Sequence, residues 1–393
     1  MRGFVGRPEI VKRCLDLERQ GKLGQSLLLI GPEGSGKELT ALEIARLLNC
    51  STPDSCSATP KCESCRKAIS FQHPDIRWIG PAPATITDAD VVRLLEAKQD
   101  DPFHQPSWAA SSEVLIGDPE HPGSMTVRSL LQFLRMRPFQ GTTKVVVVAD
   151  AHRLRAGAAN AFLKVLEEPP ADALILLTTS IRSGVLPTIQ SRCQRITFGP
   201  YTDAELGELL VRLYDLPADQ ARKLARFGAG NARRAARQRL PLPRAIGNWA
   251  AELAAAVAAG RSGTALLAAE QLHKGVVPES CADGLGEKIT PAKELPARRE
   301  RAILLCESLV VHYSEVLRCM TRGAEWSPVA VEREQTIREA ATHRSPMGVL
   351  RDLEVLERAH KDIERNLNIG LMMAVLFQEL VRHVEDDRSI TVA

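Results

Sequence analysis

Apolar residues in this chain follow one rhythm in its first half and another in its second. Ile10, Val11, Cys14, Leu15 and Leu17 recur at helical spacing, which predicts a helix near 8–20. Ser26-Leu27-Leu28-Leu29-Ile30 is an unbroken apolar run of strand length, and a helix is predicted from about Lys37 to Leu48. From about 81 to 122 the pattern dissolves into Pro, Asp and Ser, with one helix over Asp88 to Ala97, so an irregular excursion is expected. Regularity resumes with a helix at Val127–Leu134. The four valines Val145 to Val148 follow, and such a β-branched run suits a sheet covered on both faces. A helix over Ala156–Glu167, stopped by Pro169-Pro170, leads to a second buried strand, Leu174 to Thr179. Strand alternating with helix predicts a parallel α/β sheet. After Phe198-Gly199-Pro200 the strands stop. Helices are expected at 203–214 and 218–227, and everything from about Arg244 reads as helical. The expected division is 1–198, 199–241 and 242–393, and no internal repeat is visible.

Composition narrows the function classes. A chain of 393 residues accommodates two or three domains. With 44% hydrophobic and 25% charged residues it has the make-up of a soluble globular protein. A net charge of +3 is too small to argue for nucleic acid by itself. No apolar run reaches membrane-spanning length, and the first residues lack the apolar core of a signal peptide, so a cytoplasmic location is expected. Nine cysteines, an odd number, fit metal ligands plus scattered thiols better than a disulfide framework.

Two segments carry chemistry. Gly31-Pro32-Glu33-Gly34-Ser35-Gly36-Lys37 has the glycines and lysine of a phosphate loop, in the right strand-to-helix context. The next residue should be the Ser or Thr that ligates magnesium, but here it is Glu38. A carboxylate about 4 Å from a phosphate costs on the order of 4 kcal/mol at a surface-like dielectric. The strand at Val145–Val148 should end in two acids, one for the metal and one for the attacking water. The chain offers only Asp150, between Ala149 and Ala151. Two defects in one site argue against a working hydrolase and leave ATP binding in doubt. The second segment is Cys50, Cys56 and Cys62-Glu63-Ser64-Cys65. Four thiols in one short stretch, two of them as C-x-x-C, suit a tetrahedral structural zinc. A redox pair and unrelated core thiols are the alternatives.

Beyond these segments, Lys144 to Leu154 continues into Leu163-Lys164-Val165-Leu166-Glu167-Glu168-Pro169-Pro170, and Leu186-Pro187 leads to Ser191-Arg192-Cys193. Together these motifs resemble the clamp-loader branch of the AAA+ ATPases, the loaders of bacterial DNA polymerase III. The resemblance covers nearly the whole chain apart from 81–122. It implies an AAA+ P-loop domain (1–198) with a zinc module at about 50–65, a small helical lid (199–241) and an all-α collar (242–393). By this resemblance Arg192 is an arginine finger directed at a neighbouring subunit's ATP, where a planar, permanently charged guanidinium can pair with phosphate oxygens. Gly31, Gly34, Gly36, Lys37, Thr178, Thr179 and Arg233 would be remnants of the chain's own nucleotide site. Cys50, Cys56, Cys62 and Cys65 would hold Zn2+, although Cys56 departs from the family's C-x-x-C-x-x-C spacing. The last helix pair, from Leu353 through Asn368 to Leu376, would belong to the oligomerisation collar, which in sequence looks like a self-contained bundle. Expected partners are gamma/tau and delta subunits, with the sliding clamp and primed DNA reached through the complex. The resemblance thus implies a subunit that hydrolyses nothing itself. An active gamma/tau-type ATPase and a non-catalytic clamp- or DNA-binding scaffold are the rival readings.

Overall fold

Five short segments pair in parallel to build the first half of the protein: β1 (Ser26–Ile30), β2 (Ile76–Ile79), β3 (Lys144–Val148), β4 (Ala173–Thr179) and β5 (Gln194–Thr197). Their order across the sheet is β2-β3-β4-β1-β5. The computed structural model describes residues 4–56, 59–106, 108–109, 112–282, 289–326, 328, 333–342, 344–364 and 368–392. Residues 57–58 of the expected zinc module, 107 and 110–111 of the excursion, and 365–367 of the last helix pair lie outside the described residues.

The chain divides into two units, 1–234 and 235–393. In the first, β3 and β4 are buried along their whole length, as continuous apolar runs require when helices cover both faces. The register sets Ile30 opposite Thr179 and Thr197, so β1 and β4 end together. Among the described residues eleven α-helices of this half run in chain order, the last reaching just past the boundary between the units. They are α1 (Pro8–Arg19), α2 (Lys37–Leu48), α3 (Pro53–Cys56), α4 (Glu63–Ile69), α5 (Asp88–Asp100), α6 (Val127–Leu134), α7 (Ala156–Glu167), α8 (Pro187–Gln190), α9 (Asp203–Tyr214), α10 (Ala218–Gly228) and α11 (Ala232–Arg237). Local chemistry fixes their ends. Thr87 with Asp90 and Thr202 with Glu205 form reciprocal capping boxes at the starts of α5 and α9. Gly36 adopts φ 86°, a left-handed conformation that suits glycine, at the turn into α2.

The sheet holds two strands that the apolar pattern does not announce, β2 and β5, both at its edges. Buried Asp75, just before β2, accepts N–H groups of Phe139, Gln140 and Gly141, each at 2.7 Å, and the Lys144 ammonium at 2.9 Å. That one carboxylate ties the entry of β2 to the entry of β3.

The second unit is helical: α12 (Pro241–Ala258), α13 (Ser262–His273), α14 (Leu295–Arg322), α15 (Glu334–Thr342), α16 (Pro346–Glu364) and α17 (Ile369–Val392). Its core gathers Trp249, Leu253, Leu305, Tyr313, Leu356 and Phe377. The alanine-rich α12 buries Ala245, Ala250, Ala254 and Ala256, small side chains that let helices approach closely. A buried polar cluster also joins α16 to α17. Arg344 donates to Asp352 at 2.6 Å and to Asp387 at 2.8 Å, and His383 lies 2.8 Å from Asp352. The protein is therefore an α/β fold with a parallel sheet flanked by helices, followed by an all-α C-terminal region. Among the described residues no helix is long and apolar enough to cross a membrane.

Candidate functional site: a phosphate loop and a four-cysteine cluster

The turn from β1 into α2 lies at the carboxyl ends of the parallel strands, where α/β sheets place their ligand sites. Gly31 N–H donates to Thr179 O at 3.2 Å, which locks the loop to the end of β4. Gly34, Gly36 and Lys37 line a cavity there with Glu33, Glu38, Asp150, Thr178, Ser180 and Arg233. Gly31 instead backs onto Phe198. Thr178 faces the cavity and accepts the Asp150 N–H at 3.3 Å. Thr179 is turned away: its hydroxyl donates to Ile181 O at 3.0 Å, accepts Ile181 N–H at 3.1 Å and lies 3.1 Å from His152 Nδ1.

Lys37, Glu33, Glu38 and Arg233 of this cavity are each engaged by other groups of the protein. Lys37 Nζ donates to the loop's own carbonyls, Gly31 O at 2.8 Å and Pro32 O at 2.6 Å. Burial pulls its pKa down to about 8, against the pull of Asp150, Glu33 and Glu38 and with help from Arg233. Arg233 is paired with Glu33. Glu38, the residue in place of the metal-binding hydroxyl, is paired at 2.8 Å with Lys98 of α5. The cavity that remains is about 40 Å³, whereas small-molecule sites run to roughly 300–1,000 Å³. The sequence pattern located the loop and pointed to Glu38 and Asp150 beside it. It missed Lys98, and it missed Pro102 and Phe103, which complete the wall. One signal for Lys98 was available: with Val91 and Leu94 it falls at i, i+3 and i+7, a lysine on the buried face of a helix.

Arg192 follows α8 on the surface, with its side chain about one-third exposed. It donates to Glu167 at 2.7 Å and to Thr188 O at 2.9 Å. Glu167 belongs to the Leu-Glu-Glu-Pro-Pro segment, so two motifs separated in sequence meet here. An exposed pair of this kind is worth about 0–1 kcal/mol, so it restrains the guanidinium only weakly.

The four cysteines come together. The sulfurs of Cys50, Cys56, Cys62 and Cys65 all lie within 4.8 Å of one another, and Cys50 and Cys62 are 3.7 Å apart. Tetrahedral zinc with bonds of about 2.3 Å needs S···S edges of about 3.8 Å, so the set fits zinc. Cys56 joins the set despite its spacing, because the single turn α3 folds its thiol back to full burial. Each sulfur also receives a donor. Thr52 N–H reaches Cys50, Lys61 N–H reaches Cys56 and Cys65 N–H reaches Cys62, all at 3.4 Å. Arg46 Nη1 reaches Cys65 at 3.0 Å. Thr52 and the Lys61 N–H hold the Cys56 thiol down, to about 5, which favours the thiolate a metal needs. Arg46 is fully buried on α2 and also donates twice to Glu43, at 2.8 and 2.6 Å.

A parallel sheet in the order β2-β3-β4-β1-β5, with a phosphate loop after β1, gives the first half an AAA+-like architecture. A family model described as "DNA polymerase III, delta subunit" matches residues 6–202, half of the chain. The chain belongs to this bacterial DNA polymerase III clamp-loader family. It is 30% identical over 205 residues to the DNA polymerase III subunit delta' of Pseudomonas aeruginosa, covering 52% of each protein. It is 23% identical over 366 residues to the subunit tau of Bacillus subtilis, covering 92% of this chain and 57% of that protein. The chain thus spans little more than half the length of these relatives. A solved gamma subunit-related protein of Thermotoga maritima is 20% identical, with 95% of this chain and 99% of that one covered and a TM-score of 0.39.

Proposed function

We propose that this chain is a delta-prime-like subunit of a DNA polymerase III clamp loader, with no ATP turnover of its own. Arg192 acts as an arginine finger on the ATP of a neighbouring gamma/tau subunit. The observation that carries the reading is the self-satisfied phosphate loop. Its lysine is bonded to its own backbone, and a salt-bridged carboxylate stands where a metal-binding hydroxyl is needed. A site in that state gains nothing from magnesium nucleotide until two salt bridges and the carbonyl bonds of Lys37 are undone. The P-loop domain, the helical lid and the C-terminal collar would then place this subunit beside gamma/tau and delta in a cytoplasmic assembly. That assembly acts on the sliding clamp and primed DNA.

The four-cysteine cluster is proposed to hold one structural Zn2+. Bound there, zinc would brace the loop between α2 and α4, a segment with little core of its own. Cys50, Cys56, Cys62 and Cys65 would be its ligands, and the N–H donors would orient them.

The test uses the reconstituted loader with Arg192→Ala in this subunit. Folding and assembly should be unchanged, because Arg192 contributes only surface contacts. ATP turnover at the site it serves should fall on the order of 10³-fold. Unchanged turnover would refute the finger, and magnesium-dependent turnover by the isolated chain would refute the inactive site.

A further inference from the structure

The 81–122 excursion reaches the phosphate loop at three points. The buried Lys98 of α5 supplies the ammonium that neutralises Glu38, and the same ammonium lies 4.7 Å from the centre of the Trp78 ring on β2. Pro102 and Phe103, in the turn after α5, form a wall of the loop cavity. Phe103 is 8% exposed, so the ring is buried there rather than displayed. That turn is held from two sides. Asp101 Oδ1 accepts Phe103 N–H at 3.0 Å and the Tyr214 hydroxyl of α9 at 2.6 Å. On its far side the excursion is anchored to the turn between β3 and α7, where Val114 N–H donates to Arg153 O at 2.9 Å and Arg155 N–H to Val114 O at 3.1 Å.

We propose that α5 and the turn after it, residues 88–103, form a strap that decides what the phosphate loop can hold. It runs from β2 across the mouth of the loop to α9, and it fills with protein the space a nucleoside triphosphate would need. Lys98, Pro102 and Phe103 are the residues that determine admission, and the Asp101–Tyr214 hydrogen bond keeps them in place. This deepens, and rests on, the reading of the chain's own site as inactive. It adds that the obstacle is steric as well as a missing hydroxyl. Glu38 is then one half of the strap's attachment, with Lys98 as the other half.

Two physical consequences separate the strap from the missing hydroxyl. Restoring the hydroxyl alone, with Glu38→Thr, leaves Phe103 and Pro102 in the way. Releasing the strap alone, with Phe103→Ala and Tyr214→Phe, opens the cavity but leaves the Glu38–Lys98 pair.

The experiment titrates the full-length chain and these variants with the fluorescent analogue MANT-ATP in the presence of magnesium. Wild type and Glu38→Thr should give no saturable signal. The strap-release variant should bind at least about tenfold more tightly than either, and the combined variant more tightly still. If Glu38→Thr alone restores binding equal to the combined variant, or if the folded strap-release variant binds no better than wild type, the strap is overturned. Hydrolysis by the wild-type chain would instead overturn the underlying reading. Hydrogen exchange provides a second readout that tolerates a poorly folding Phe103→Ala. The conservative Tyr214→Phe should speed exchange at the amides of residues 33–38 by about tenfold while leaving those of β3 unchanged. Equal protection in that variant also counts against the strap.

Discussion

Arg46 offers the sharpest quantitative test of the four-cysteine cluster. Its guanidinium is fully buried and donates to three partners: Glu43 twice, the Cys56 carbonyl at 3.0 Å and the Cys65 sulfur at 3.0 Å. Four thiolates around a divalent ion carry a net charge of −2. A cation hydrogen-bonded to one of those sulfurs lowers the cost of burying that charge. Arg46→Met alone strands Glu43, whose pKa burial already pushes up despite Arg46. Removing one partner of a buried pair costs about 3–5 kcal/mol, so the single variant confounds folding with metal binding. Glu43→Leu/Arg46→Met removes both charges, and such apolar replacements are often neutral for stability. What remains is the loss of an outer-shell hydrogen bond to a ligand, expected to weaken zinc binding by roughly 10–100-fold. The assay is zinc competition against a chromophoric chelator, paired with the sulfur-to-metal charge-transfer band of the Co2+-loaded protein. That band should shift when the Cys65 sulfur loses its donor. Wild-type zinc affinity and an unmoved Co2+ band in the folded double variant would refute the reasoning.

Two further outcomes follow from buried charges in the first unit. Burial pushes the Asp75 carboxyl up, but the Gly141, Phe139 and Gln140 N–H groups and Lys144 outweigh it and hold the pKa at about 2 against an ordinary 3.8. A depressed carboxylate pKa stabilises the fold above pH 3.8, and that contribution, on the order of 2 kcal/mol, is lost as pH falls through 2. Acid denaturation followed by circular dichroism should therefore lose its steep limb between pH 4 and 2 in Asp75→Asn, and an unchanged limb would contradict the assignment. Arg7 donates to Ser35 O at 3.3 Å, Gly199 O at 2.8 Å and Glu205 at 3.0 Å, and stacks 3.6 Å over the Tyr201 ring. Arg7→Ala should cost about 2–3 kcal/mol in urea unfolding and loosen α9 in hydrogen exchange. A loss below about 0.5 kcal/mol would mean these contacts carry little.

How much of this was legible in sequence depended on where each partner lay. β1, β3 and β4 were readable because a strand covered on both faces is apolar throughout. β2 and β5 were not. Ile76-Arg77-Trp78-Ile79 is four residues long and carries an arginine, while Gln194–Thr197 is largely polar and exposed. Both are strands because a neighbour supplies a ladder of backbone partners. Within the site, the spacing of Cys62 and Cys65 announced the cluster, since its ligands lie close together in the chain. Glu38 and Asp150 could be picked out at the loop, since each sits at a fixed offset from a motif. The partners of the loop's acids were hidden. Lys98 is 60 residues from Glu38, and Arg233 is 200 residues from Glu33, so only the fold brings them together.

The glycines of the loop also have a packing role that involves no nucleotide. A side chain on Gly34, at φ 68°, would collide with the Asn231 amide, and one on Gly36, at φ 86°, with the Tyr201 hydroxyl. Gly34 O also accepts the Ala232 N–H at 2.9 Å, so the backbone before α11 sits directly on the loop. Close approach and left-handed backbone demand glycine at both positions, with no phosphate involved. Lys37, bonded to two loop carbonyls, has likewise found a structural task. The G-x-x-x-x-G-K pattern in this chain is thus explained by how the loop packs against Tyr201 and Asn231. Residue 38 has taken a different partner, the Lys98 ammonium at 2.8 Å, and a single acid, Asp150, follows β3.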